Sequence, residues 1–436
     1  MGHDYYLAGM TNKRMQFGWA FYDWANSVYS LVIATAIFPI YFAAVAPEYI
    51  EFMGKSYLST AFYSYTLAFS FVLVAIFSPF LSGIADYTGN KRKFLRFFAL
   101  MGSIACMGMY FFDESNVNYG LILSIIASVG FWSSIVFYNA YLPDIAKPEE
   151  QDAVSARGFT LGYIGSSLLL ILNLALIEGW DMVGFSSKAV ATRFSFLSVG
   201  LWWLIFSQVS LQRLPGNIHK RKPKDKEFLL HGFRELSSVF KYVRGDQRLK
   251  VYLYSFFFFS VGVQTIILLA GLFGSEELKM ESTKLIATIL IIQFLGIAGA
   301  NLFAWIARKY GNLLSLKISI FIWAIICLLA YVLDNEDPYV EYKFYFIGGL
   351  VGLVMGGIQS VSRSTFSKLL PETQSTASFF SFYDVTEKIA VITGTFVFGY
   401  LIELTGDMRV SALALSVFFA LGFSQLLRLR KSNWVY

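Results

Sequence analysis

Histidine and cysteine are almost missing from this 436-residue sequence, which has three of the first and two of the second. Cys106 and Cys327 both lie inside apolar stretches, so no disulfide framework or metal cluster is implied. His3, His219 and His231 fall in polar segments, which argues against a buried histidine relay. Charge is scarce as well. Only 15% of residues are Asp, Glu, Lys or Arg, against about 25% in a soluble domain. No GxxxxGK[ST] loop occurs, which excludes a P-loop ATPase. The start, MGHDYYLAGMTNKRMQ, lacks a signal-peptide pattern and is expected to be a short cytoplasmic lead. No catalytic residue, metal or cofactor is expected.

What the chain has in abundance is apolar sequence: 56% hydrophobic residues, 44 of them Phe, and a mean hydropathy of +0.57. This is an integral membrane protein with the lipid bilayer as its surroundings. Stretches of about 20 apolar residues predict twelve spans. They are Phe17–Ala46, Tyr57–Ser82, Phe94–Phe112, Tyr119–Leu142, Gly158–Ile177, Val190–Leu211, Val251–Phe273, Leu285–Ala307, Leu316–Leu333, Tyr342–Phe366, Thr376–Ile402 and Met408–Leu427.

Alternate loops differ in charge. Segments with Lys13, Arg14, Lys91, Arg92, Lys93, Arg308, Lys309, Lys368 and Arg428, plus the long middle linker, hold about 27 of the 35 basic residues. By the positive-inside rule that side, with both termini, is cytoplasmic, and two inside termini require an even number of spans. The net charge of +6 therefore reports loop placement, and no nucleic-acid partner is expected. The linker divides the chain into a six-helix bundle over residues 1–211, a cytoplasmic segment 212–249 with an amphipathic helix from about Glu227 to Val243, and a second six-helix bundle over 250–436. The halves echo each other. IADYTGN (Ile84–Asn90) after the second span matches IARKYGN (Ile306–Asn312) after the eighth, and NAYLPD (Asn139–Asp144) matches TFSKLLPE (Thr365–Glu372).

One span carries charge at its middle: Asp384, Glu387 and Lys388 lie within Ser375–Glu403. Each costs at least roughly 2.5–3.5 kcal/mol at that depth, so all three must face protein or water. Asp384 and Lys388, four apart, are expected to pair, leaving Glu387 as a spare carboxylate that points elsewhere. Either the group locks helices together or it borders a solute and proton pathway. The first span, GWAFYDWANSVYSLVIATAIFPIYF, carries Asp23 and a stripe of Tyr22, Asn26 and Tyr29 at helical spacing, suited to a solute or to helix packing.

SGIADYTGNKRKFL, around Asp86, resembles the signature loop between the second and third helices of the major facilitator superfamily, with Ser82, Tyr87 and Asn90 departing from its pattern. That resemblance implies that Asp86 meets the start of the eleventh helix near Ser375 to Ser378, favouring one end state of the transport cycle. FYDWANSVYS, FYNAYLPDIA, VSARGFTLGYIGS, SVSRSTFSKLLPE and SFFSFYDVTEK together resemble one branch, the vacuole-effluxer or autophagy-related permeases with their bacterial relatives. The branch pattern falls on Tyr22, Asp23, Trp24, Asn26, Tyr138, Asn139, Pro143, Gly162, Gln264, Thr265, Arg363, Pro371, Tyr383 and Lys388. Val261 stands where the pattern has an acid before the glycine of the seventh helix, which puts that acid's coupling role in doubt.

The resemblance implies an all-α major facilitator fold of twelve transmembrane helices in two six-helix halves, with the first, fourth, seventh and tenth lining a cavity. Tyr22, Asn26, Tyr29, Trp132, Tyr138, Asn139, Gln264, Thr265, Gln359 and Arg363 would then bind solute, amides and hydroxyls suiting a zwitterion. Arg363 is read either as an inter-helix or snorkelling cation or as a carboxylate clamp. Asp23, Asp86, Asp384, Glu387 and Lys388 would serve coupling and gating. The expected function is secondary-active transport of a small polar solute by alternating access, of the efflux type, with amino acids as the class the branch implies and protons as the candidate coupling ion. Sugars, nucleosides and peptides stay open as solutes. A lipid-modifying enzyme and a non-transporting receptor or scaffold are the rival classes. Nothing in the residues supplies a nucleophile or metal site for the enzyme. The expected location is the cell membrane.

Overall fold

The computed structural model describes residues 2–216 and 228–429, with side chains over 12–216 and 232–429 apart from residue 282. The Pro- and Lys-rich part of the linker at 217–227, and the side chains of His3, His219 and His231, lie outside the described residues. Among the described residues, twelve helices are long and apolar enough to cross a membrane. The first six are Asn12–Val45, Ser59–Thr88, Lys91–Phe111, Val117–Ile145, Pro148–Glu178 and Lys188–Arg213. The other six are Gln247–Glu277, Thr283–Tyr310, Asn312–Tyr331, Val340–Leu369, Thr376–Thr405 and Met408–Arg428.

These are the twelve predicted spans, several of them longer at their ends. Hydrophobicity marks only the lipid-facing part of a helix, whereas the hydrogen-bond ladder continues wherever polar turns find partners. The fifth span differs most: the polar run from Pro148 to Arg157 is helical and precedes the expected start at Gly158. The all-α expectation omits one element. Between the first two spans, Tyr49–Phe52 pairs antiparallel with Lys55–Leu58 around Met53 and Gly54, whose φ values of 51° and 74° suit a two-residue hairpin turn.

The chain separates into two compact units, Met1–Tyr141 with Leu161–Glu235, and Leu142–Thr160 with Leu236–Tyr436. In the first unit the sixth span packs on the first and third, and the fourth on the second and third. Trp19 and Trp203 are fully buried, and Trp202 Nε1 donates to the Trp24 carbonyl at 3.0 Å. Beyond the second span, Gly89 (φ 67°) turns the chain, and the basic residues that follow hold the turn down. Lys91 Nζ lies 3.5 Å from the Ala140 carbonyl and over the Tyr141 ring, while Arg92 Nη1 donates to the Leu214 carbonyl at 3.1 Å.

In the second unit the eighth span packs on the tenth, and the seventh and ninth on the twelfth. The eighth and tenth meet along glycines. A Cβ added at Gly352 would sit 2.4 Å from the Ile292 carbonyl oxygen, at Gly356 2.2 Å from that of Gly296, and at Gly299 1.8 Å from that of Leu353. Backbone touches backbone here, so dispersion and weak polar contacts replace the hydrophobic drive that lipid removes.

The linker contributes a helix, Phe228–Gly245, close to the predicted amphipathic segment. Asp246 then caps the seventh span, accepting from the amides of Arg248 and Leu249 at 2.8 and 3.0 Å. Large side chains such as Phe77, Phe346 and Phe396 point outward from their spans, an apolar exterior that only a lipid solvent accommodates. Gly356→Val is expected to destabilise the protein by at least about 1–3 kcal/mol, because a carbonyl cannot move aside as a side chain can. Gly399→Ala, which meets nothing within 4 Å, serves as the neutral control. Thermal unfolding followed by size-exclusion fluorescence reads both, and a Gly356→Val protein as heat-stable as the wild type would contradict the packing described.

Candidate functional site

In the first unit the FYDWANSVY run sets Asp23 against the fourth span. Tyr138 donates from its hydroxyl to Asp23 Oδ2 at 2.8 Å, and both residues are buried. Tyr138 is itself fixed: Trp19 Nε1 donates to its carbonyl at 2.7 Å, the Trp19 ring stacks on it at 4.4 Å, and the Tyr22 ring lies 5.1 Å away. Gly162 of the fifth span leaves room for this arrangement, since a Cβ there would fall 2.5 Å from Ser27 Oγ and 3.3 Å from Asp23 Cβ. Asn139 follows on, also buried.

One turn further along, Asn26 is 1% exposed, and neither its amide nitrogen nor its amide oxygen has a partner among the described residues. The Tyr22 hydroxyl is likewise buried, facing Ser134 and Trp203. A buried donor or acceptor left unmatched costs about 1–3 kcal/mol, and the Asn26 amide leaves both of its polar atoms so. From Tyr29 to Ile37 the span widens to π-helical pitch, with Pro39 just beyond. Such stretches concentrate at functional sites. Apolar composition gave no sign of this one. Tyr29 packs on Phe131 at 4.9 Å, and Trp132, half-buried, sits edge-on to Phe131 and Phe71.

The second unit holds the charged group of the eleventh span. Lys388 Nζ is 3.1 Å from Asp384 Oδ1, as its spacing predicts, but also 3.5 Å from Glu387 Oε2. Glu387 is therefore not the separate carboxylate of the sequence reading. A lysine side chain spans four methylenes and swings to a neighbouring carboxylate when both are withdrawn from water. The other Glu387 oxygen accepts from Gln264 Nε2 of the seventh span at 2.6 Å. The lysine and Asp384 side chains are 1% and 5% exposed and Glu387 is 18% exposed, so two carboxylates share one cation, and with all three ionised the formal sum is one negative charge. Asp384 Oδ2 has no partner among the described residues. Thr265, beside Gln264, turns its hydroxyl onto the Val261 carbonyl at 2.6 Å and packs under Gly394. Tyr383 stacks on Phe256 at 4.0 Å.

On the tenth span Arg363 is buried. Its Nε donates to Ser155 Oγ at 3.0 Å and its Nη2 to the Ser155 carbonyl at 2.9 Å, with the guanidinium over the Phe159 ring at 4.3 Å. Of the two readings of Arg363, these contacts are those of an inter-helix cation. Gln359, one turn away, is half-buried. Asp86 is buried in the last turns of the second span.

Sequence reasoning missed a further polar cluster. Asp152, 1% exposed, accepts from Lys368 Nζ at 2.6 Å and from Asn312 Nδ2 at 2.8 Å. Lys368 also donates to Asn312 Oδ1 at 3.0 Å. The signal was present, because Asn312 ends IARKYGN and Lys368 lies in TFSKLLPE, both second-half members of the repeat pairs. Asp152 reads as one more acid in the polar PEEQD run, and nothing local says that the run is buried.

Known proteins agree with this architecture. Residues 11–433 match the family model described as vacuole effluxer Atg22 like. The MFS-type transporter YxiO of Bacillus subtilis (strain 168) is 32% identical over 409 residues, covering 93% of this chain and 92% of that protein. Autophagy-related protein 22 of Yarrowia lipolytica is 24% identical, over 83% and 74%. Among solved structures, the fucose transporter FucP in its outward conformation has a TM-score of 0.66 at 13% identity, covering 96% and 99%, and the human organic anion transporter MFSD10 a TM-score of 0.68 at 12%, covering 96% and 99%. Those last two likenesses concern the fold, which is that of the major facilitator superfamily. With its twelve spans and a family match over nearly its whole length, the chain is a multi-pass membrane transporter that belongs to the vacuole effluxer Atg22 like family.

Proposed function

We propose that this protein exports a small polar solute, an amino acid or a close relative, across the cell membrane by alternating access coupled to protons, with both termini cytoplasmic. The observation that carries the reading is the eleventh-span group in which Asp384 and Glu387 share Lys388 while Gln264 holds Glu387. A net negative charge in hydrocarbon is costly unless it is neutralised. A proton on Glu387 neutralises it, leaving the Asp384–Lys388 pair intact. So does the ammonium group of a zwitterionic solute. Competition of the two for one charge is the chemistry of solute–proton exchange.

Within the first unit, the Asn26 amide, unmatched among the described residues, offers both a donor and an acceptor to a polar solute. Tyr22, Tyr29, Trp132, Tyr138 and Asn139 of the first unit, and Thr265 and Gln359 of the second, are further binding residues in this reading, while Arg363, engaged with Ser155, holds spans together. Asp23, held by Tyr138, and Asp86 take gating roles. The family description, vacuole effluxer Atg22 like, supports efflux as the direction of transport.

In proteoliposomes loaded with candidate amino acids, counterflow of at least one is expected. Glu387→Gln should keep counterflow but lose its acceleration by a pH gradient, and unchanged gradient-driven transport in that variant would remove Glu387 from the coupling step. Lys388→Met alone strands buried Asp384 beside part-buried Glu387 and is expected to cost about 3–5 kcal/mol of stability. Asp384→Asn/Lys388→Met should recover most of that loss, and full transport by this pair variant would assign the ion pair to packing. For orientation, a cysteine at exposed Glu336 should react with an impermeant maleimide on intact cells, whereas one at exposed Lys93 should react only after permeabilisation. The reverse pattern would invert the topology.

A further inference from the structure

Away from these groups, the second unit contains a cavity of about 320 Å³ between the start of the fifth span and the end of the eighth. Its lining has a definite order. Ala153, Ala156, Arg157 and Thr160 share one face of the fifth span, at i, i+3, i+4 and i+7, while Asn301, Ala304 and Arg308 share one face of the eighth, at i, i+3 and i+7. The helices run in opposite senses, with Thr160 and Asn301 at one end of the cavity, where Asn301 Nδ2 donates to Thr160 Oγ1 at 2.8 Å, and both arginines lining it on the side away from that pair. Ala156 and Ala304, both buried, keep the middle open.

Both guanidinium groups are exposed, and neither has an acidic or hydrogen-bonding partner among the described residues. Elsewhere in the same unit Lys343 pairs with Asp337 and Arg409 with Glu277, so these two arginines differ from cations that are already engaged. Arg308 also marks a level in the membrane. Trp305 and Tyr310 beside it are exposed, with Lys309 over both rings, and Leu302 lies exposed one to two turns deeper. Aromatic rings and a lysine at a span end, next to outward-facing leucine, belong at the headgroup layer.

We propose that Arg157 and Arg308 form a binding site for a phosphate-bearing anion, in first place the phosphodiester of an anionic phospholipid from the leaflet on that side. Two planar forks converging on one hollow match the oxygens of a phosphate, and basic pockets between spans are where such headgroups dock. Thr160 at the deep end offers its hydroxyl to the glycerol part of the headgroup, and the acyl chains lie along Leu302.

The test is native mass spectrometry of the detergent-purified full chain with phosphatidylglycerol and, separately, phosphatidylcholine of the same acyl chains, beside thermal unfolding with glycerol 3-phosphate. Phosphatidylglycerol should bind the wild type at least about tenfold more tightly than it binds Arg157→Gln/Arg308→Gln, with phosphatidylcholine indifferent to the change. The control Lys93→Gln/Arg96→Gln, which removes equal charge from another exposed place, should keep phosphatidylglycerol binding. Should glycerol 3-phosphate alone stabilise the wild type and not the double variant, the anion site stands with a soluble ligand in place of lipid. If neither phosphate compound distinguishes the folded variant from the wild type, or if the control loses binding equally, the proposal falls. Arg308→Gln alone, judged by the same readings, substitutes for the double variant should that one aggregate.

Discussion

The second unit depends on one lysine held between two carboxylates inside an apolar helix. Isolated charge in hydrocarbon is expensive, so Lys388, Asp384 and Glu387 survive there only by facing one another and the amide of Gln264. That requirement fixes the rotation of the eleventh span about its axis and its closeness to the seventh. Gly394 then allows the contact, since a larger residue would collide with Thr265. The aromatic stack of Tyr383 on Phe256 seals the apolar side of the same interface.

The first unit solves a similar problem with a hydroxyl. Asp23 is buried against Tyr138, whose ring is clamped between Trp19 and Tyr22, so the carboxylate has a directional partner and a rigid one. Asn26 is treated differently. Fully withdrawn from water and unmatched, it sits next to the place where the helix loosens into a wider coil. The same short stretch of helix thus holds one polar group fully engaged and another left unmatched among the described residues.

Much of this was legible in the sequence. Hydropathy found all twelve spans, and the five motifs found the family, because both signals are repeated over long stretches of chain. The pairing of Asp384 with Lys388 followed from helical spacing alone. Glu387 did not, since spacing describes where Cβ atoms point and not where a long lysine reaches. Asp152 escaped for a different reason. Its run reads as an ordinary polar helix start, and only Lys368 and Asn312, far away in the chain, reveal that it is buried. The π-helical stretch is invisible to composition, because a wider coil uses the same residues as a tight one.

The glycines between the eighth and tenth spans make those two helices a single thick strut. Where carbonyl oxygens sit in the space that side chains would fill, neither rod can slide or roll without collision. Arg308 at one end of the strut, and Arg363 with Lys368 toward the end of its other member, are thereby mounted on a common rigid frame. Any displacement that reaches one of these cations reaches the others at full amplitude, with no slack in between.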